Sequence, residues 1–419
     1  MKKRTLLWLA VGITAIAVLY LFPARRQNFF EIYGKDDRVS RSLRAFYQKP
    51  VKTLHVDGIE WKYTVAGNGN RTVLFIHGMG GAYDLWWRQI ETLENRYKII
   101  SFTLPAQIDN LEDARKGIEA LLNEEKTGRF LVVGTSMGGY IAQYLVKTMP
   151  GRIEKAVFGN TFPPNDLLLE QNRTTRKLLP FIPEIIIQRF GAKQFEEKLW
   201  PSAGYDSVIR AFLPTLPFSK RAFINRFDLL TDFFTINPAR YEIKRIPKLI
   251  IQSDNDPLVP EALRKELMAL YPGAQVFTFK NKGHFPYLND AETYNAVLTD
   301  FFEKENEFQL IEQCVEQYFE GRKNADTNRL RNIFHPGARL YTLVNDSIRT
   351  FNLDNYLEVV AREGKQRVKT KLIDVNLTGK SACVHTEFDY GARVYKDYLT
   401  LLKENGRWTI VSKTFVNKK

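Results

Sequence analysis

A chain of 419 residues, 44% hydrophobic and 26% charged, is long enough for two folded cores and too apolar to be intrinsically disordered. Its formal charge of +14 raises nucleic acid as a partner, but Lys and Arg are dispersed and no nucleic-acid-binding module is present, so that class is excluded. The two cysteines, Cys314 and Cys383, exclude a disulfide framework and leave either one bridge or two buried free thiols; neither a metal site nor a cofactor is expected.

The first elements concern the membrane. Lys2, Lys3 and Arg4 precede an uncharged apolar run from Leu6 to Phe22, and Arg25-Arg26 follow it. The run is near the lower limit for spanning hydrocarbon, and the bulky exit Tyr20-Leu21-Phe22-Pro23 does not suit a cleavage site. An uncleaved anchor over residues 1–26 is therefore expected, favoured over a cleaved signal. The basic excess before the span places the amino terminus inside and the bulk of the chain outside the cytoplasm, in the periplasm if the cell is Gram-negative. The dispersed positive charge then suits anionic lipid headgroups.

Residues 27–50 show no clear period and read as a linker or packing arm. Thr53–Val56 and Ile59–Val65 alternate around Asp57-Gly58, which predicts a hairpin. Short apolar runs follow at Val73–Ile76, Ile99–Phe102, Phe130–Val133, Ala156–Phe158 and Leu249–Ile251, separated by helical segments such as Asn110–Leu122 and Tyr140–Lys147. This rhythm predicts an α/β fold with a mostly parallel sheet over residues 51–305. No strand pattern occurs between about 161 and 241, where apolar residues are dense. A helical cap over the strand ends is expected there, the alternative being helices packed on the side of the sheet. After a helix from Ala291 to about Glu305, the composition changes. A helical stretch (Glu307–Arg322) precedes strand-like runs at Arg339–Val344, Lys371–Thr378, Ala382–Phe388, Asp397–Leu402 and Trp408–Val411, an α+β pattern over 306–419.

Gly134-Thr135-Ser136-Met137-Gly138-Gly139 directly follows the run Phe130–Val133 and opens a helix. A serine on such a turn has its hydroxyl thrust out of the sheet edge, and the flanking glycines allow strand and helix to approach. Ser136 is thus the candidate nucleophile. His77-Gly78-Met79-Gly80-Gly81 follows another strand; the N–H of Met79, with that of Met137, would form a donor pair for an oxyanion, while His77 reads as a structural hydrogen-bonding residue. Only His55, His77, His284, His335 and His385 occur, and His284 alone stands in a loop between a predicted strand (Gln275–Phe279) and the closing helix. It is the candidate base. The acid lies in Ser253-Asp254-Asn255-Asp256-Pro257, with Asp256 preferred and Asp254 the alternative. The order Ser…Asp…His matches one of the triad folds.

On these residues, the stretch from about Lys52 to Phe302 resembles the α/β-hydrolase superfamily. A narrower similarity to maspardin-like hydrolases rests on Leu104-Pro105-Ala106-Gln107-Ile108-Asp109, Asn160-Thr161-Phe162 and Phe285-Pro286-Tyr287-Leu288. That subgroup implies that some members are inactive, but Ser136, Asp256 and His284 are all present here. The region from about Glu307 onward resembles nuclear-transport-factor-like cones, and more narrowly the lumazine-binding family, on Tyr318-Phe319-Glu320-Gly321, Phe334-His335-Pro336 and Asp397–Leu402 with Gly406-Arg407-Trp408. Such cones imply a small ligand or a homodimer contact, and a structural module is expected over a second active site. The expected function is a membrane-anchored serine hydrolase acting on a small-molecule ester or lipid-like substrate. The alternative is a non-catalytic adaptor that keeps the fold for binding.

Overall fold

The structure, a computed structural model, describes residues 27–418 apart from Asp166, so the anchor expected at 1–26 lies outside the described residues. Among the described residues no helix is long and apolar enough to cross a membrane. The chain divides into two compact units. The first runs to Pro238 and resumes over Ile246–Glu303; the second is built from Ala239–Arg245 and Lys304–Lys419.

The first unit holds an eight-stranded sheet in the order β1-β2-β4-β3-β5-β6-β7-β8. β1 (Val51–Val56) and β2 (Ile59–Ala66) form the expected hairpin, Val56 opposite Ile59. Asp57 and Gly58 both have positive φ, 50° and 77°, as a type I′ turn requires. β3 (Thr72–Ile76), β4 (Lys98–Thr103), β5 (Phe130–Thr135), β6 (Ile153–Gly159), β7 (Lys248–Ser253) and β8 (Gln275–Phe279) pair in parallel. β3 and β5 are buried along their whole length, because helices cover both faces of a parallel sheet and both sides of each strand must then be apolar.

Residues 27–50 are not a spacer. They form two short helices, Phe29–Tyr33 and Arg38–Tyr47, the second closed by a capping box in which Asp37 and Ser40 satisfy each other's backbone N–H groups. Phe29, Leu43 and Phe46 are buried, and the Phe29 ring meets Phe212 of the 161–241 insertion edge-on at 6.3 Å. Each helix is too short to announce itself by periodicity, and burial against the rest of the unit is what stabilises it.

The insertion carries helices at Leu167–Leu178, Glu184–Gln194, Ser207–Phe212 and Lys220–Thr231. It lies over the carboxyl ends of the strands rather than on the sheet's flank. Asn225 Nδ2 donates to Ala106 O in the loop after β4 (2.8 Å), and Asn255 Nδ2, after β7, donates to Ser202 O (2.7 Å). After the cap the chain contributes the helix Tyr241–Lys244 to the second unit before returning as β7, with Tyr241 Oη donating to Glu312 (2.5 Å) and Lys244 paired with Asp374 (2.7 Å).

The second unit is a six-stranded sheet, β10-β9-β14-β13-β12-β11, with helices Glu307–Asn324, Thr327–Ile333 and Leu353–Glu363. Its strands are β9 (Phe334–Val344), β10 (Ser347–Asn352), β11 (Lys369–Thr378), β12 (Ser381–Asp389), β13 (Val394–Glu404) and β14 (Arg407–Lys418). All neighbours are antiparallel except β9 and β14. Neither sequence expectation for the cysteines holds: both thiols are free, with Cys314 buried and Cys383 exposed.

Gly117, on the helix Leu111–Glu124, is forced by packing, since a Cβ there would stand 1.8 Å from Trp61 Cζ2. Alanine normally favours a helix over glycine by about 1 kcal/mol. Here Gly117→Ala is expected to destabilise the unit by roughly 1–3 kcal/mol in chemical denaturation, because overpacking outweighs propensity.

Candidate active site

Ser136 joins β5 to the helix Met137–Thr148 with φ 54° and ψ −121°. This region costs a non-glycine residue on the order of 1–3 kcal/mol, so the surroundings must impose it. Ser136 N donates to Gly159 O at 2.8 Å, and Ser136 O accepts from Thr161 Oγ1 at 2.7 Å and from Gly139 N at 2.9 Å. The elbow glycines are compelled by contact: a Cβ on Gly134 would lie 2.0 Å from Gly138 O, and one on Gly138 would lie 2.2 Å from Ile76 O. Gly78 faces the nucleophile directly, its Cβ position being 3.2 Å from Ser136 Cβ and 3.8 Å from Oγ.

Asp256 and His284 stand in the loops after β7 and β8, at the same sheet edge as Ser136. His284 Nδ1 lies 2.8 Å from Asp256 Oδ2 and 3.0 Å from Oδ1, and both side chains are buried. The imidazole therefore donates from Nδ1, which leaves Nε2 as its basic nitrogen. Asp256 also accepts from Asn160 Nδ2 (2.9 Å), Leu258 N (2.9 Å) and Val259 N (3.2 Å). Burial alone would raise its carboxyl pKa. The charge and hydrogen bond of His284, with the bonds from Asn160 and Leu258, outweigh that, and the pKa falls below the ordinary carboxylate value. Asp254 turns elsewhere, accepting from Asn281 N at 2.8 Å.

His77 is held at both nitrogens: Nδ1 donates to Gly78 O (2.6 Å) and Nε2 accepts from Leu104 N (2.9 Å). Burial, reinforced by the charge of Arg226, pushes its pKa down to about 3, so it stays neutral and shapes the loop. Met137 is the first residue of its helix, where N–H groups lack intrahelical acceptors. Met79 sits in the turn closed by Gly81 N donating to Gly78 O (2.9 Å).

Sequence reasoning missed three supporting residues. Arg226, from the cap helix Lys220–Thr231, is 5% exposed and donates to Met79 O and Gly81 O on the Gly78 loop and to Leu104 O beside it. Among the described residues no carboxylate pairs with it, and burial lowers its pKa to about 10. Nothing in a single helical arginine announces such a role. Asn160 was visible only as part of a family pattern, although its place just beyond β6 puts its amide beside Asp256. Asn255 holds Gly283 N (2.9 Å) and Ser202 O, tying the His284 loop to the cap.

Residues 73–297 match the model of the "Alpha/beta hydrolase family", and the chain belongs to that family. Residues 306–416 match the model described as "Putative lumazine-binding". A 2-hydroxy-6-oxononadienedioate/2-hydroxy-6-oxononatrienedioate hydrolase of Paraburkholderia xenovorans is 26% identical over 290 residues, 63% of this chain and 98% of that protein. Human maspardin is 24% identical over 251 residues, 57% of this chain and 79% of its own. Among solved structures, the enol-lactonase from Burkholderia xenovorans superposes with a TM-score of 0.53 at 18% identity, covering 60% of this chain and all of that one. The fold is that of a hydrolase, and the first unit carries it.

Arg226→Met would leave the carbonyls of Met79, Gly81 and Leu104 without their donor. It should cost on the order of 3 kcal/mol of stability. Amide hydrogen exchange at 77–81 should accelerate in the same variant, and unchanged exchange there would show that the loop is held by other contacts.

Proposed function

We propose that this protein is a serine hydrolase that cleaves carboxylic esters through Ser136, His284 and Asp256. The observation that carries the reading is the buried Asp256–His284 pair, at 2.8 Å, on the same sheet edge as a serine held at positive φ. Ser136 Oγ attacks the ester carbonyl while His284 Nε2 takes its proton. The tetrahedral oxyanion is received by the N–H groups of Met79 and Met137. His284 then gives the proton to the leaving alcohol, and water repeats the sequence to release the acid and free Ser136. Asp256 holds the Nδ1–H tautomer and offsets the charge that the imidazole gains.

An apolar or acyl-chain substrate is supported by the cap, which leaves Leu178, Phe181, Ile186 and Phe190 exposed, Phe181 by 77%. The enol-lactonase, an enzyme named for an ester substrate, shares the fold, and the fold alone does not select the bond. With p-nitrophenyl esters of rising chain length, Ser136→Ala should abolish turnover and Asp256→Asn should lower kcat by about 10³–10⁴. Activity should rise from acetate toward medium chains; equal turnover in Ser136→Ala would rule out the nucleophile.

The same reading places the enzyme at the cell membrane as a single-pass protein, with its bulk outside the cytoplasm. It rests on the apolar run Leu6–Phe22 and its basic flank. A periplasm-dependent phosphatase fused after Lys419 should be active, and a reporter fluorescent only in the cytoplasm should be dark. The opposite pattern would reverse the orientation.

A further inference from the structure

The second unit encloses a cavity of about 460 Å³ between its sheet and the helices Glu307–Asn324 and Leu353–Glu363. Its floor is a buried polar cluster. Lys413 Nζ donates to Tyr318 Oη (2.6 Å) and pairs with Asp397 (3.1 Å), while Tyr318 Oη donates to Asp397 (2.5 Å). These three groups satisfy one another, so the lysine charge is already neutralised. Two other groups are not so fully used. Tyr356 is 6% exposed and lines the cavity, yet among the described residues its hydroxyl has no hydrogen-bond partner. A buried hydroxyl left unpaired costs roughly 1–3 kcal/mol, which a ligand atom would recover. Arg322, with a side chain only 12% exposed, makes its hydrogen bonds through Nη2 alone among the described residues, to Glu363 (3.0 Å) and Tyr390 Oη (3.1 Å). Its Nε–H and Nη1 make no hydrogen bond among the described residues, and each can donate singly to an incoming acceptor.

Charge and shape restrict the occupant. Arg322, Arg393 and Lys413 face Glu363 and Asp397 across the lining, an excess of one positive charge. Phe351, Phe388 and Phe415 supply flat apolar walls. The volume is at the small end of ligand pockets, enough for one or two rings. We propose that this cavity binds a small planar organic anion, an aromatic carboxylate, with the carboxylate on Arg322 and Tyr356 and the ring among the phenylalanines. The site is separate from Ser136 and does not depend on the reaction assigned to it.

The test is isothermal titration calorimetry on the full chain in detergent, carrying Ser136→Ala. The probes are benzoate, 2-naphthoate and biphenyl-4-carboxylate, each beside its neutral amide. At least one acid should bind one-to-one with Kd below about 1 mM, and its amide about tenfold more weakly or worse. Arg322→Met should weaken binding by about tenfold or more, and Tyr356→Phe by about fivefold. Tyr356→Phe keeps the ring that packs 5.0 Å from Lys413 Nζ, so near-ultraviolet circular dichroism should be unchanged and a loss of binding then belongs to the hydroxyl. No binding by any acid, equal binding of acid and amide, or binding indifferent to both substitutions would overturn the proposal.

Discussion

The backbone of Ser136 is a local expense that the rest of the first unit must hold in place. Positive φ at a residue with a Cβ persists only where neighbouring chain leaves no alternative. Gly134 and Gly138 permit that crowding, since a Cβ on either would collide with backbone, and Gly78 leaves room beside Ser136 Cβ, where a Cβ would press at 3.2 Å. The eight-stranded sheet aligns β3, β5 and β6 so that Gly159 O and Thr161 Oγ1 meet the serine's own N–H and carbonyl. The hydroxyl is thus aimed by the core before any chemistry is considered.

The second constraint is charge in a place with little water. Asp256 is nearly buried, and a bare carboxylate there would take up a proton. Four donors, from His284, Asn160, Leu258 and Val259, keep it ionised. Arg226 presents the reverse case: a buried cation solvated by three backbone carbonyls, two of them on the loop that would receive the oxyanion. Through it the cap and that loop are one mechanical piece, so displacing the cap helix would disturb the donors as well as uncover the site.

Much of this was legible in the residues. The parallel strands announced themselves as short apolar runs because both sheet faces are covered, and the hairpin because Asp57-Gly58 suits only one turn. Ser136 and His284 were singled out as candidates from their positions after strands. Choosing Asp256 over Asp254 was a preference among two carboxylates, and the contacts distinguish them: only Asp256 turns to His284, while Asp254 closes a backbone turn. What stayed hidden depends on contacts between distant segments. The helices of 27–50 are shorter than a readable period. The exposed strand Ser347–Asn352, with the sequence Ser-Ile-Arg-Thr-Phe-Asn, buries no side that would mark it. Arg226 and Asn255 act on backbone atoms of loops far away in sequence, and the Lys413–Asp397–Tyr318 cluster joins residues separated by up to 95 positions. No acid–base pair stood out in that region of the sequence because its members are not neighbours there.

The central claim is that Ser136 is an activated nucleophile. The most direct measurement is labelling with a fluorophosphonate probe followed by mass spectrometry of the modified peptide, comparing the unaltered chain with Ser136→Ala and His284→Gln. Stoichiometric phosphonylation on the peptide carrying Ser136, lost in Ser136→Ala and strongly slowed in His284→Gln, is the predicted result. A folded protein that stays unlabelled would contradict the account and leave a hydrolase fold retained for binding.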